Sequence, residues 1–425
     1  MTGLRGTGTR RLLVGNVAAR FGALVALAVA TVMVARAGGP DFVGAFTLLR
    51  VLPGLAGVLA ALGLPGATPY FLASRRDDPR LRPTLVVLAL LGACVATVGW
   101  LALTPLLHRV FFADWDTRLV LVGALAVFTQ LPVAVGKSLL QGEQDMTGAN
   151  RAIFAEEAAY LPIYGVFLLF GHGALTMAYA LVAADVAVAA GIAWRLARSG
   201  FFRGWGRPSV ALGRTISGYG ARGQLGGLLS LVNLRLDVAI LGALAGPAVL
   251  GVYAIASKYA ELMRLPGLAV NYVLYPAFAG RDSGDARART TRLLLPSLTL
   301  PLLVAVPLAL AAAPVLPLVY GHAFRGAVLP ALILLAGLLG DVAANLISAY
   351  LYGVGRPGGN SLAIGVGVVL TVAGDLLLIP RFGATGAAVA SCVAYLATDL
   401  ALFLLFRFVR TAHPTPAVDT TMVPA

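Results

Sequence analysis

The feature that most constrains this chain is a series of about a dozen apolar runs, most of them long enough to cross a membrane. A helix needs about 20 residues to cross the roughly 30 Å hydrocarbon core of a bilayer. The runs therefore predict an all-α, polytopic membrane protein with twelve transmembrane helices. The predicted spans are roughly 12–36, 42–73, 84–107, 118–140, 152–170, 174–194, 215–244, 249–277, 293–319, 328–352, 361–379 and 384–406.

The distribution of charge sets the orientation of these spans. Charged residues make up only 12% of the chain, against roughly 25% in soluble domains. With the N-terminus inside, 21 of the 32 basic residues fall in inner connections and 5 in outer ones. Basic residues favour the cytoplasmic side of a membrane. The net charge of +14 is thus an orientation signal that places both termini in the cytoplasm, and no nucleic-acid partner is expected.

Catalytic and metal sites are not expected. The connections are short, the longest being about 196–214, so no soluble catalytic domain lies between spans. No GxxxxGK[ST] sequence for nucleotide phosphates occurs, and the 4 histidines and 2 cysteines lack metal-ligand spacing. The chain is predicted to be neither an enzyme nor a holder of a metal or an organic cofactor.

The two halves of the chain resemble each other at a shift near 210 residues. The segment 39–46, GPDFVGAF, matches 246–253, GPAVLGVY, with two glycines, a proline and an aromatic residue in register. Weaker matches follow in the same order, 140–150 with 351–360 and 173–174 with 386–387. Six helices per half give parallel repeats, as in transporters built from two bundles. We predict two pseudo-symmetric six-helix lobes, 1–205 and 206–410, around a central cavity, and a disordered cytoplasmic tail at 411–425.

Six basic residues remain within the predicted spans. A charge inside a membrane is costly, so each should face a water-filled cavity or a partner. Four of them lie near mid-depth on helices 1, 2, 7 and 8, and with Arg264 they form the candidate site for an anionic substrate group. Arg222 either belongs with them or marks the inner end of helix 7, and Lys258, Glu261 and Arg264 have a spacing that also allows pairing along one helix face. The candidates are Arg20, Arg50, Arg235, Lys258 and Arg264.

Acidic residues within the spans are candidates for coupling transport to H⁺ or Na⁺. Asp185 and Asp399 lie in the middle of helices 6 and 12, where a carboxyl group can take up a proton or a cation. The alternative is that these acids are counter-ions of the arginines or hydrogen-bonded structural groups. The acidic candidates are Asp185, Asp237, Glu261, Asp341 and Asp399.

Three segments together resemble a known family. They are the Gly-Pro turn after helix 1, the polar-studded stretch NLRLDVAILGALAGPAVLGVYAIASKY, and YLYGVGRPGGNSLAIGVGVVLTVAGDLLLIPRFGATGAAVA. They are similar to the Wzx-type polysaccharide transporters of the multidrug/oligosaccharidyl-lipid/polysaccharide (MOP) exporter superfamily. The resemblance covers residues 12–410. One departure is Asp375, at a position that is often Asn in similar sequences.

The resemblance implies a flippase of the bacterial inner membrane. Such a protein would move an isoprenoid-diphosphate-linked oligosaccharide between leaflets, with cavity cations meeting the diphosphate. Its implied partners are this lipid-linked substrate, membrane lipids and polymer-synthesis proteins. Three alternatives remain at this point: a multidrug or cation antiporter of the same superfamily, a small-molecule carrier of the major facilitator type, and a scaffold for polymer synthesis.

Overall fold

The computed structural model describes residues 7–264, 283–353 and 357–408, and within them every regular element is helical. The tail predicted at 411–425 lies outside the described residues. The described ranges hold twelve α-helices, separated by short turns and two short 3₁₀ segments. They are α1 Thr7–Ala61, α2 Leu64–Ser74, α3 Leu81–Phe111, α4 Thr117–Gly142, α5 Met146–Ala158, α6 Tyr160–Phe167, α7 Ala174–Arg198, α8 Val210–Glu261, α9 Ser283–Tyr320, α10 Val328–Gly337, α11 Asp341–Gly353 and α12 Pro357–Phe408.

Three of these helices each consist of two helical segments that meet at one glycine. Gly39 in α1, Gly246 in α8 and Gly383 in α12 have positive φ values of 70°, 78° and 54°, a conformation that only glycine adopts readily. Each glycine falls in a gap between two predicted spans. In α1 and α8 the next residue is proline, which has the right φ for a first helical turn and no amide hydrogen to satisfy. The predicted ends of spans 1, 7 and 11 are therefore confirmed.

Other predicted spans are broken where one continuous helix was expected. The span predicted at 42–73 is interrupted at Leu62 and Gly63, both with positive φ, before α2 begins. The span predicted at 152–170 is made of α5 and α6 and begins at Met146, six residues earlier. The span predicted at 328–352 bends by 40° between α10 and α11.

Seven helical stretches of the described chain are long and apolar enough to cross a membrane, and the bent pair brings the number to eight. Two of the seven, Gly15–Ala61 and Gly358–Phe408, have 47 and 51 residues. At 1.5 Å per residue each spans about 70 Å, twice the thickness of a bilayer core. Their central glycine breaks agree with two crossings each. The chain is thus an all-α, polytopic membrane protein.

Two compact units divide the chain, residues 1–254 with 317–324 and residues 255–316 with 325–425. The first unit has a core of aliphatic and aromatic side chains from α1 to α5 and α7, and the start of α8 joins it through Leu212 and Ile216. The second has a core centred on Tyr350 and Leu402, from α11 and α12. The two six-helix lobes remain a prediction. The compact units are defined by which residues pack together, whereas the lobes were predicted from an internal sequence repeat.

Within the first unit the two repeat-related Gly-Pro turns pack against each other reciprocally. A methyl group on Gly44 would overlap the carbonyl oxygen of Pro247, and a methyl group on Gly251 would overlap that of Pro40. Both turns have nearly the same backbone conformation at Gly39 and Gly246. This backbone-to-backbone contact leaves no room for a side chain at either matched glycine.

Candidate functional site

Arg50 and Glu157 form an ion pair inside the first unit. Arg50 Nη2 donates to both carboxylate oxygens of Glu157, at 2.6 and 2.7 Å. The side chains are only 23% and 17% exposed. Glu157 lies at the end of α5, near the middle of the span that α5 and α6 form together. Arg50 is therefore a paired cation and not a free one.

This ion pair borders a small cavity of about 230 Å³ that Arg50 and Asp185 line together with Gln130 and Glu156. Asp185 is 7% exposed and accepts a hydrogen bond from the Thr129 hydroxyl at 3.1 Å. We call this space the paired cavity, because its arginine has a carboxylate partner. It joins two predicted candidates, Arg50 of the cation set and Asp185 of the acidic set.

The wall of the paired cavity holds a second ion pair. Lys137 Nζ on α4 lies 2.5 Å from Glu156 Oε2 on α5. Both acids of the Glu156-Glu157 pair therefore have a basic partner from a neighbouring helix. Removal of one member would leave an uncompensated charge in a low-dielectric environment.

Arg20 and Arg235 differ from Arg50, because each is exposed and neither forms an ion pair with any side chain that the structure describes. Arg20 Nε donates to Asn16 Oδ1 at 3.0 Å, and Asn16 donates in turn to Asn150 at 2.8 Å. Arg20 shares its helix face with the exposed apolar residues Val17 and Leu24. The positive charges of these two arginines therefore lie in apolar helices and are not neutralised by any described acidic side chain.

The second unit has its own charged cluster. Arg264 Nε lies 3.5 Å from Asp341 Oδ1, and its guanidinium lies 5.4 Å from the centroid of the Tyr395 ring. Asn345 Nδ2 donates to Asp341 at 2.8 Å. Asp399 interacts electrostatically with Arg264 and Asp341, and its buried Oδ2 has no hydrogen bond to any described residue. Three predicted candidates thus meet here, and Arg264 pairs with Asp341 rather than along its own helix with Glu261.

Three further candidates are Asp237, Glu261 and Lys258. Asp237 is 8% exposed and accepts a hydrogen bond from the Tyr253 hydroxyl at 2.7 Å, which links the two arms of α8 across the Gly246 turn. Glu261 is exposed at the end of α8, and Lys258 is half-buried. Asp237 therefore has a structural contact of its own.

The larger cavity of the first unit was not predicted. It has a volume of about 1370 Å³ and lies between the α1–α2 junction and the first turns of α8. Three arginines line it, Arg75, Arg214 and Arg222. All three are exposed, and none forms an ion pair with a described residue. We call it the arginine cavity.

Helix–helix contact at its back wall explains the position of the arginine cavity. A methyl group on Gly63 would overlap the carbonyl oxygen of Gly220, and one on Gly220 would approach the carbonyl of Leu62 to 2.5 Å. The helix break at Leu62 and Gly63 turns α2 away from α1. The space between α2 and α8 remains open beyond this contact.

Arg75 and Arg214 were interpreted from the sequence only as orientation signals in inner connections. Sequence position gives the depth of a residue but not the cavity that it faces. The break that brings α2 against α8 had a sequence signal, since Gly63 with Pro65 two residues later is typical of a helix end. Among the described residues, no group of three or more His, Cys, Asp or Glu side chains could hold a metal ion.

Comparison with known proteins places these features in a family. The profile of the family described as "Polysaccharide biosynthesis protein" matches residues 33–329. The probable low-salt glycan biosynthesis flippase Agl15 of Haloferax volcanii is 24% identical over 367 residues, 85% of this chain and 75% of that protein.

Solved structures share the fold. A multidrug resistance MATE family transporter of the MOP superfamily, inward-facing, superposes with a TM-score of 0.71 at 18% identity, over 93% of this chain and 97% of the other. The lipid II flippase MurJ, in an inward closed conformation, gives 0.69 at 13% identity, over 93% and 87%. A MOP superfamily transporter from Pyrococcus furiosus gives 0.62 at 18% identity, over 95% and 96%.

Proposed function

Because the chain belongs to the polysaccharide biosynthesis protein family, Wzx-type transporters of the MOP superfamily, we propose that it flips an isoprenoid-diphosphate-linked oligosaccharide across the cytoplasmic membrane. The relative named as a glycan biosynthesis flippase supports this substrate class. The protein acts by alternating access, and its substrate keeps the lipid tail in the bilayer while the polar head crosses. Polymer-synthesis proteins use the product on the far side.

The observation that carries the proposal is the pair of exposed arginines in apolar helices, Arg20 and Arg235, with no carboxylate partner among the described side chains. An inserted charge costs roughly 2.5–3.5 kcal/mol on insertion scales, so it needs water or a ligand to offset the cost. A diphosphate supplies negative oxygens that fit the planar fork of a guanidinium. A cationic drug would instead be repelled by these residues, which disfavours the antiporter alternative.

In this proposal the acidic candidates couple transport to a gradient of H⁺ or Na⁺, which supplies the driving force. Asp185 lies in the paired cavity beside Arg50, and Asp399 lies beside Arg264 and Asp341. Each carboxylate, when ionised, adds a negative charge beside an arginine that already has an acidic partner, and binding of a proton removes that charge. Uptake of H⁺ or Na⁺ at these acids would then be coupled to rearrangement of the neighbouring helices.

Orientation follows from the distribution of basic residues. With both termini in the cytoplasm, the Gly39 and Gly246 turns face outward and the arginine cavity faces the cytoplasm. This direction matches a substrate assembled inside the cell. Fusion of a reporter to either terminus, with accessibility measured from outside, tests the orientation.

The test of the proposed function is a leaflet-transfer assay in proteoliposomes with a labelled isoprenoid-diphosphate oligosaccharide. We expect Arg20→Gln and Arg235→Gln to lower the transfer rate by at least about tenfold, since each removes one charge-assisted contact. The matched control is Arg109→Gln, which removes an exposed arginine at the end of α3. Normal transfer by the double variant, or drug efflux in place of lipid transfer, would overturn the proposal.

A further inference from the structure

The arginine cavity contains cations whose charge no described neighbour neutralises. Elsewhere in the first unit several basic side chains form close ion pairs with an acid, such as Arg82 with Glu143 at 2.9 Å. Arg75, Arg214 and Arg222 instead face a shared space without a carboxylate within 4.0 Å among the described side chains. Three positive charges around one cavity attract an anion of more than one charge.

The cavity also presents an aromatic surface. The rings of Tyr70 and Tyr219 are stacked, with centroids 4.6 Å apart and planes 9° apart. Phe71 packs behind them, 5.5 Å edge-on from Tyr219. The two tyrosines are 51% and 45% exposed although they lie in contact with each other. A stacked pair that remains this open offers an apolar face with hydroxyl groups at its rim, and a sugar ring packs well on such a surface.

Helix geometry brings the charged and aromatic groups to the same wall. Residues three or four apart share a helix face, so Thr215, Tyr219 and Arg222 line the cavity from one side of α8. Arg75 directly follows α2 on the opposite wall, five residues after Tyr70. Gly66 and Gly218 in the lining have open space where a side chain would begin, which leaves the cavity wide.

We propose that the arginine cavity is a cytoplasmic loading site, which binds a diphosphate through its three arginines and the adjoining sugar on the tyrosine pair before transport. This inference rests on the proposed function and adds to it a second site, separate from Arg20 and Arg235. A diphosphate joined to a sugar occurs both in a lipid-linked oligosaccharide and in a soluble nucleotide sugar. The apolar residues in the lining, among them Val58, Ala61 and Pro65, favour the lipid-linked form.

The first experiment measures binding of a radiolabelled long-chain isoprenyl diphosphate to the full-length protein in nanodiscs. Arg75→Gln, Arg214→Gln and Arg222→Gln should each weaken binding by about tenfold. Arg76→Gln is the matched control, because it removes a neighbouring exposed charge that does not line the cavity. Unchanged binding in the triple arginine variant would overturn the inference.

A second arm identifies the source of the diphosphate. If the site takes the lipid-linked form, inorganic pyrophosphate and a soluble nucleotide sugar should displace the isoprenyl diphosphate only at concentrations at least about a hundredfold higher. Displacement at equal concentration would assign the site to a soluble diphosphate and overturn the lipid-linked assignment. Gly218→Leu, which narrows the cavity and leaves every arginine in place, should weaken binding in the same direction as the arginine variants.

A third arm measures the contribution of the sugar to binding separately from that of the diphosphate. It also distinguishes the loading site from the proposed transport site. Tyr219→Ala should weaken binding of the glycosylated diphosphate by several fold and leave the bare isoprenyl diphosphate unaffected. Arg20→Gln and Arg235→Gln should keep binding at the loading site and lose transfer. If these two variants lose transfer while the triple variant binds and transfers normally, the loading site is wrong and the proposed function stands.

Discussion

The paired cavity and the arginine cavity lie in the same unit and share Val58, Ala61 and Pro65 in their linings. They differ in whether the arginines that line them form ion pairs. In the paired cavity, Arg50 is held at 2.6 Å by Glu157 beside the buried Asp185. In the arginine cavity, three arginines have no ion pair with a described residue. A buried cation is retained because a partner neutralises it, whereas a cation without a partner is available to a ligand. The depth of an arginine in the membrane does not by itself show whether it has a structural partner or is available to a ligand.

The largest effect should come from Glu157→Gln, which leaves the buried charge of Arg50 without its partner. Breaking one member of a buried ion pair costs about 3–5 kcal/mol, and both side chains here are less than a quarter exposed. Thermal unfolding in detergent measures the loss. The double variant Arg50→Gln/Glu157→Gln should recover a large part of it. If the single variant unfolds like wild type, the pair does not stabilise the paired cavity.

A smaller effect should come from the back wall of the arginine cavity. Gly220→Ala places a methyl group against the carbonyl of Leu62, and overpacking of this kind costs about 1–3 kcal/mol. Gly218→Ala, two residues away, meets open space and should gain up to about 1 kcal/mol from better helix propensity. Comparison of the two unfolding temperatures tests whether the wall is as close as the structure places it. Equal stability of both variants would contradict that contact.

An ion pair outside both cavities should have an intermediate, pH-dependent effect. The hydrogen bond from the Arg195 guanidinium holds the pKa of Asp145 below its usual range. A lowered pKa in the folded state gives stability that is present above about pH 4–5 and is lost as pH falls through the folded value. Asp145→Asn should therefore lower the free energy of unfolding by about 1 kcal/mol at pH 7 and remove part of the acid-induced loss.

The control for this pH effect is Asp116→Asn. Asp116 also caps a helix, but it lies 4.0 Å from Arg118, and its side chain is 56% exposed. The unfolding temperature of this variant should follow that of wild type across the same pH range. A similar loss in both variants would mean that helix capping, and not the Arg195 pair, accounts for the effect of Asp145→Asn.

The smallest effect on stability should come from the arginine cavity itself. The triple variant Arg75→Gln, Arg214→Gln and Arg222→Gln removes exposed charges that no described partner holds, so unfolding should change by less than about 0.5 kcal/mol. Added salt should stabilise wild type slightly more than this variant, because salt screens the mutual repulsion of the three arginines. A loss as large as that of Glu157→Gln would mean that the two cavities do not differ in the way described.

The sequence predicted the number and type of the elements better than their internal breaks. Long apolar runs and Gly-Pro pairs located the turns at Gly39 and Gly246. A run of that length forms a membrane-spanning helix, and a Gly-Pro pair marks the end of one helix and the start of the next. The start of the fifth span was placed six residues too late, so Glu157 was not expected near the middle of that span, and Arg50 had no predicted partner. Asp145, whose carboxylate accepts from the Gly148 amide, was the missed helix-start signal.

The arginine cavity shows a different kind of limit. Arg75 and Arg214 lie 139 residues apart in the sequence and have the composition of ordinary cytoplasmic connections. The packing of Gly63 against Gly220 and the stacking of Tyr70 on Tyr219 bring their helices together. A contact between distant glycines carries no periodic signal, so neither hydropathy nor charge patterning locates the cavity.

The reciprocal packing of Gly44 on Pro247 and of Gly251 on Pro40 has a consequence for the origin of such a chain. Exchange of the two turns reproduces the same pair of contacts, which is the property of an isologous interface about a twofold axis. A half-length polypeptide with one such turn would already carry both the glycine and the proline carbonyl. Two copies could build the whole contact as a homodimer, and gene fusion would inherit it without any new residue.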